Sequence, residues 1–233
     1  VSNKVAIITA NYGGVDILHP AIEQSIACDF FAFGHTAVGW TTPCRNLCGR
    51  NLSNIYRAKI PKILPEYATC STDYEWFIWM DGSCHITDSR FAEWMIDNTH
   101  SRDWGLFRHS KRDTVGDEVS HSLGWDRYAD HPLEEQFVYY RRLGFQDNQG
   151  LFECGVFARR STSLTRAICA DWMNQIMLWS YQDQISLPFV MWQYHFKPSL
   201  LPKTVLIAPY HSYHGHDYGY TISERLHTDI SQS

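Results

Sequence analysis

The chain is patterned as short apolar runs that stop abruptly at polar or glycine positions. The most compact is Trp76-Phe77-Ile78-Trp79-Met80, five apolar residues with no alternation. A run of this length without polar positions predicts a strand buried on both faces. Val5–Ala10, Asp29–Gly34, Trp104–Phe107 and Leu151–Ala158 predict further strands, and Lys203–Ile207 a last one. Between them apolar residues recur at helical spacing. Phe91, Trp94 and Met95 predict a helix over 90–98, capped by Ser89. Asp130 and Pro132 open a second that stops at Gly144, with Leu133, Gln136, Phe137 and Tyr140 on one face. Ser161 or Ser163 caps a third that runs to about residue 179, with Leu164, Ile168, Trp172, Ile176 and Trp179 toward the core. Pro61 discourages helix just ahead of it, where Arg57 and Lys59 lie. Strands alternating with helices predict one α/β domain over residues 1–233.

Composition narrows the function. Aromatic residues make up 15% of the chain, with 9 Trp, 13 Tyr and 12 Phe. Such an excess supplies platforms for sugars or bases as well as core. The net charge is −5 and no long basic run appears, which disfavours binding to a nucleic-acid backbone. Seven cysteines leave at least one unpaired. Cys44 and Cys48 are the one close pair, with no second pair at zinc spacing, so free thiols are expected, with a 44–48 disulfide as the alternative. No run of about 18 apolar residues and no signal peptide is visible, so a cytoplasmic protein without a transmembrane segment is expected.

The chemistry gathers where apolar runs end. Trp76–Met80 stops in Asp81-Gly82-Ser83, a carboxylate and a hydroxyl at the carboxyl end of a strand. In α/β sheets that is where ligands bind, and hard oxygen donors there suit Mg²⁺ or Mn²⁺ beside a diphosphate. The alternative is a plain Asp-Gly turn. The first run leads into Asn11-Tyr12-Gly13-Gly14, whose glycines let a ligand approach the backbone. Arg57 and Lys59 are cations that can meet a diphosphate, or a solvated edge. Trp104–Phe107 is followed by a dense polar stretch, residues 108–118, which includes His109, Arg112 and Glu118. Glu153 is a carboxylate within an apolar run, and Asp183-Gln184 either cap a segment or point into a pocket. Late histidines, His211, His214 and His216, are metal ligands or surface groups.

Taken in order, the glycine turn, Arg-x-Lys-x-x-Pro, Trp-Met-Asp-Gly-Ser, His-x-x-Arg with a downstream Glu, Glu-Cys-Gly and Asp-Gln resemble a GT-A-fold glycosyltransferase. More narrowly they resemble the hexosyltransferase-like domain of plant mucilage-associated proteins and its bacterial and viral relatives, from about Val5 to Val190. The resemblance implies a mixed, mostly parallel sheet flanked by helices. It implies a nucleotide-sugar donor, most simply a UDP-sugar, a glycan or other hydroxyl acceptor, and Mn²⁺ or Mg²⁺. Asp81 and Ser83 would stand at the metal-binding Asp-x-Asp position, with Ser in place of the second Asp. His211 or His214 would supply a further metal ligand. Asn11, Tyr12, Gly13, Arg57 and Lys59 would join Asp81 and Ser83 around the donor, and Asp183, Glu153, His109 and Arg112 would serve catalysis. A metal-dependent hydrolase and a silent sugar- or nucleotide-binding module are the competing readings.

Overall fold

The structure, a computed structural model, describes residues 4–43, 49–99 and 102–213. In chain order the elements are β1 (Val5–Asn11), β2 (Cys28–Gly34), α1 (Asn54–Ile63), α2 (Pro65–Thr69), β3 (Trp76–Met80), β4 (Cys84–Ile86), α3 (Phe91–Asp97), β5 (Trp104–Arg108), α4 (Val115–Ser122), α5 (Leu133–Arg142), β6 (Phe152–Arg160), α6 (Ser163–Leu178), α7 (Asp183–Gln193), β7 (Ser199–Leu200) and β8 (His211–Tyr213). A single 3-10 turn, Asp126–Tyr128, separates α4 from α5. Six strands form one sheet in the order β2-β1-β3-β6-β5-β7. Only β6 runs against its neighbours, and the other pairings are parallel. β4 and β8 make a separate antiparallel pair. This is the mixed, mostly parallel α/β sheet that was expected.

The apolar runs become central strands because both of their faces are covered. All seven residues of β1 and all five of β3 are buried. Alternate side chains go to opposite faces. Ala6, Ile8, Phe77 and Trp79 enter one core with residues of α4 to α7, including Val115, Tyr140, Trp172 and Ile185. Val5, Ile7, Trp76, Ile78 and Met80 enter the other with Phe91 and Met95 of α3. Trp104 of β5 packs 5.9 Å from Trp172 and 5.7 Å from Phe157, so several aromatics are core filling.

Several local expectations are corrected. Helix α1 continues through Pro61, which costs only the one amide that proline lacks, and Leu64 still donates to Ile60 O at 2.8 Å. α4 was not foreseen as a helix; Thr114 caps it by accepting from the Asp117 amide at 3.1 Å. α6 is capped by Thr162, not Ser161 or Ser163, in a reciprocal box with Thr165. The residue ahead of α3 is Arg90 rather than Ser89. Leu164 faces solvent, at 42% exposure, not the core. Residues 203–207 form turns, and the edge strand there is Ser199–Leu200. Cys44 and Cys48 lie outside the described residues. Cys28, Cys84, Cys154 and Cys169 are free thiols, the last three buried.

A buried ion pair ties the far edge of this frame. Arg159 of β6 is 1% exposed and donates to both oxygens of Glu66 of α2, at 2.9 and 2.8 Å. Burial disfavours the Glu66 carboxylate, but Arg159 outweighs it and lowers its pKa. Glu66→Ala is expected to cost about 3 kcal/mol in urea unfolding, because the guanidinium is left buried and unpaired. A loss under about 1 kcal/mol would mean that water or Thr165 replaces the partner.

Candidate active site

The chain leaves β1 for β2 on one side, and later returns to β3 on the other. The carboxyl ends of β1 and β3 therefore splay from a point where the strand order reverses, which opens a crevice in a parallel sheet. A cavity of about 410 Å³ lies there. Asn11 and Tyr12 reach it from the end of β1, and Asp81 and Gly82 from the end of β3. Lys59 and Lys62 of α1, Glu118 and Ser122 of α4, and Gln182 to Gln184 at the start of α7 form its other walls, with Arg112, Trp125 and Arg127 at loops.

Its floor is a charge cluster. One oxygen of Asp183, Oδ2, accepts from Lys59 Nζ at 2.6 Å and stands 2.7 Å from Lys62 Nζ. Lys62 Nζ also lies 3.3 Å from Asp81 Oδ1, which takes the Trp79 indole N–H at 2.7 Å. Asp183 and Lys62 are almost wholly buried, whereas the Asp81 side chain is 39% exposed. Burial works against the Asp183 carboxylate, but Lys59 and Lys62 prevail and hold it well below the ordinary carboxylate range. Burial likewise works against the Lys62 ammonium, and Asp183 and Asp81 prevail to raise its pKa. The lysines share one face because three residues in a helix separate them by nearly one turn.

A second cluster makes the opposite wall. Arg112 Nε donates to Glu118 Oε2 at 2.5 Å. Glu118, 2% exposed, also accepts from Gln182 Nε2 at 2.6 Å and from Ser122 Oγ at 3.3 Å. His109 stands behind this wall and does not line the cavity. Its Nδ1 accepts from the amides of Lys111 and Arg112, and burial, then Arg112, lowers its pKa. His109 thus shapes the turn that carries Arg112.

Residues 52–205 match the family model described as TOD1/MUCI70, glycosyltransferase-like domain. The chain belongs to this family. No curated protein matches it. Among solved structures it is similar to the crystal structure of the galactosyltransferase LgtC in complex with donor and acceptor sugar analogues. That likeness has 10% identity and a TM-score of 0.43, and covers 96% of this chain and 94% of that one.

Within this glycosyltransferase-like domain, the residues singled out from the sequence divide into two groups. Asn11, Tyr12, Lys59, Asp81, Arg112 and Asp183 converge on the cavity. Asn11 does so with its side chain already engaged: its Nδ2 donates to Asp16 O and its Oδ1 accepts from the Asp16 amide at 3.2 Å, closing the turn after β1. Gly13 serves that turn at φ +83°, where a Cβ would sit 2.8 Å from Asn54 Nδ2. Arg57 lies over the Tyr12 ring, 4.0 Å from its centroid, outside the cavity lining.

The remaining residues are placed elsewhere. Glu153 and Cys154 are successive on β6, so they face opposite ways. Cys154 lines the cavity, while Glu153 accepts from the Ser110 amide at 3.1 Å and the Val205 amide at 2.9 Å. Both Glu153 oxygens are thus engaged in pinning two loops, away from the cavity lining. Ser83 is 7% exposed and does not line the cavity. His211 is buried on the other side of the sheet, with its ring 5.6 Å from Phe91 and 5.8 Å from Phe107, and Nε2 lies 3.0 Å from Val205 O. Burial lowers its pKa. That placement packs the ring into the core, outside the cavity lining, with Nδ1 lacking a hydrogen-bond partner among the described residues. His214 and His216 lie outside the described residues. No described helix is long and apolar enough to cross a membrane.

The site residues that the sequence reading missed are Lys62, Asp16, Trp125 and Arg127; Glu118 was seen only as part of a polar stretch. Lys62 was legible once α1 is taken as a helix, three positions after Lys59. Asp16 depends on the Asn11 turn, and Arg127 on a 3-10 turn that no pattern announces.

The donor chemistry of Asp16 and Asp81 decides whether a divalent ion fits. They flank Gly82: a Cβ there would lie 3.0 Å from Asp16 Oδ2. Burial, then Asp81 and more weakly Asp16, push the Cys84 thiol up to about 12. Gly155 leaves room for the second Asp81 oxygen, since a Cβ there would lie 3.3 Å from Oδ2. Among the described residues no group of three or more His, Cys, Asp or Glu could hold a metal. Two carboxylates completed by substrate phosphate oxygens are nevertheless the usual provision for Mg²⁺. An ion of that kind would be held by Asp81 and Asp16 with ligand oxygens completing the set, not caged by protein alone.

Proposed function

We propose that this domain transfers a sugar from a nucleoside diphosphate sugar, most simply a UDP-sugar, to a glycan or other hydroxyl acceptor. The observation that carries this reading is the switch-point cavity, where fixed cations share the lining with Asp81 at the end of β3 and Asp16 in the turn after β1. Asp81 and Asp16 would hold Mg²⁺ or Mn²⁺, and the chemistry such an ion supplies is neutralisation of charge on the leaving diphosphate. Lys59, Lys62 and Arg112 are paired with Asp183, Asp81 and Glu118. They lend the floor a fixed field rather than free donors. Arg127 lines the same cavity, rests 4.7 Å from the Tyr128 ring centroid, and makes no ion pair among the described residues. Among the described residues that line the cavity, Arg127 is therefore a cation available to an incoming phosphate.

Asp183 serves poorly as the acceptor's base. A carboxylate held far below neutral pH takes a proton weakly, and a general base works best near the operating pH. Its role is to keep two ammonium groups inside the cavity.

The test is to incubate the protein with a panel of nucleotide sugars, with and without Mn²⁺. Release of nucleoside diphosphate from one of them is the expected result. Phosphate release from simple phosphate esters instead would favour a hydrolase, and nucleotide binding without turnover a silent module. Arg127→Ala is expected to raise the donor KM about tenfold, in line with one lost charge-assisted hydrogen bond. An unchanged KM would remove Arg127 from the donor site.

A further inference from the structure

Trp125 lines the cavity yet is 50% exposed. The other aromatics that line the cavity, Tyr12, Trp79, Tyr128 and Tyr181, are all buried. Tyr12 is 6% exposed beneath Arg57, and Trp79 is 4% exposed with its indole N–H given to Asp81. Trp192 lines a different cavity.

The Trp125 ring is held ready. Its backbone amide donates to Ser122 O at 3.0 Å, and its carbonyl accepts from the Tyr128 amide at 2.9 Å. Its Nε1 donates to His121 Nε2 at 3.3 Å, and the Arg127 guanidinium lies 5.4 Å from the ring centroid. The next residues are anchored too. Tyr128 is 4% exposed, and the Tyr181 hydroxyl donates to Arg127 O. A rigid ring with its flanking backbone tied down loses little freedom when a ligand arrives. Half of its surface stays in contact with water at the cavity mouth.

We propose that Trp125 is the platform for a carbohydrate acceptor, with a pyranose ring stacked on the exposed part of the indole. This deepens the proposed glycosyl transfer and rests on it. The C–H face of a pyranose carries slight positive charge and meets the negative face of an aromatic ring favourably. The polar neighbours His121 and Arg127 provide groups for ring hydroxyls, the few convergent polar contacts that orient a ligand in an otherwise apolar site. Position distinguishes acceptor from donor. The charge cluster of Lys59, Lys62, Asp81 and Asp183 forms the floor, whereas Trp125 stands at the rim, where one end of a glycan can enter while the rest stays in solvent.

The experiment is calorimetric titration of the whole protein and of Trp125→Ala and Trp125→Phe. The probes are maltotetraose, cellotetraose, xylotetraose and, separately, UDP with Mn²⁺. One tetrasaccharide is expected to bind the unaltered protein. Trp125→Ala should weaken it at least tenfold, Trp125→Phe less than threefold, and UDP affinity should stay within threefold in both. Equal loss of UDP affinity in Trp125→Ala would make the ring a base-stacking group and overturn the proposal. So would a tetrasaccharide that binds both variants as it binds the unaltered protein, or no tetrasaccharide binding at all. Failure of UDP alone to bind would count against the donor reading and leave the platform standing. Should Trp125→Ala fail to fold, Trp125→Leu, which keeps an apolar, uncharged side chain but has no aromatic face, provides the same comparison.

Discussion

Asp183→Asn is expected to lower folding stability by about 3–5 kcal/mol, the usual cost of removing one partner from a buried ion pair. The physical reason is that two ammonium groups share a single Asp183 oxygen, at 2.6 and 2.7 Å. Without the carboxylate, Lys59 and Lys62 face each other with little access to water, and only Asp81, at 3.3 Å from Lys62, remains to offset them. Adding Lys62→Met to Asp183→Asn should recover part of the loss, because it removes one of the stranded charges. Guanidinium unfolding of the single and double variants measures both effects. A double variant less stable than Asp183→Asn would show that packing, not charge, is what the cluster supplies. The pH dependence has a definite sign. The folded-state pKa of Asp183 is depressed from its ordinary 3.8, so its contribution is complete above that value and is lost as pH falls toward the folded-state pKa. Lys62 is raised from 10.5, so its contribution is complete below that value and fades only as pH rises beyond it. The acid limb of the stability curve should therefore flatten in Asp183→Asn.

Asp81→Asn is expected to separate function from folding in the opposite way. The amide keeps an oxygen able to accept from the Trp79 indole, now 2.7 Å from Asp81 Oδ1, so stability should change by only about 1 kcal/mol. What disappears is the negative charge at the carboxyl end of β3, on a side chain that is 39% exposed and open to a ligand. Under the proposed transfer, Mn²⁺-dependent UDP affinity should fall together with turnover, the latter about 100-fold, a loss typical of removing one preorganised electrostatic group. Calorimetry of UDP with and without Mn²⁺, beside the rate of nucleoside diphosphate release, reads both. Turnover within threefold of the unaltered protein would take Asp81 out of the reaction. Asp81→Asn and Asp183→Asn therefore make a pair: one acid at the surface of the charge cluster and one at its base, expected to differ in which measurement moves.

Much of the frame was legible in the chain. Trp76–Met80 read as a doubly buried strand because no polar residue interrupts it, and Val5–Ala10 read as a strand from its β-rich apolar run; the structure buries both on two faces. Asp81 was legible as a cavity-facing acid for the same reason: the end of a buried strand is where a polar side chain first meets a crevice. Lys62 was not, because Pro61 beside it signalled a break, whereas neighbouring turns and burial carry the helix past one missing amide. Glu153 and His211 looked like site residues by type. Glu153 is turned by strand alternation toward two loop amides, and His211 is packed among Phe91 and Phe107. Neither destination leaves a local trace in the sequence.

By itself the sequence determined the class of fold, the central strands and the acid that one of them presents, since apolar runs and their abrupt ends are local properties of the chain. Only the tertiary structure decided which charges meet. Lys59 and Asp183 are 124 residues apart and Gln182 and Glu118 are 64 apart, and each pair is joined by the order of strands and the packing of helices rather than by any motif. Asp183 then stays ionised despite its burial, because the fold places Lys59 and Lys62 beside it.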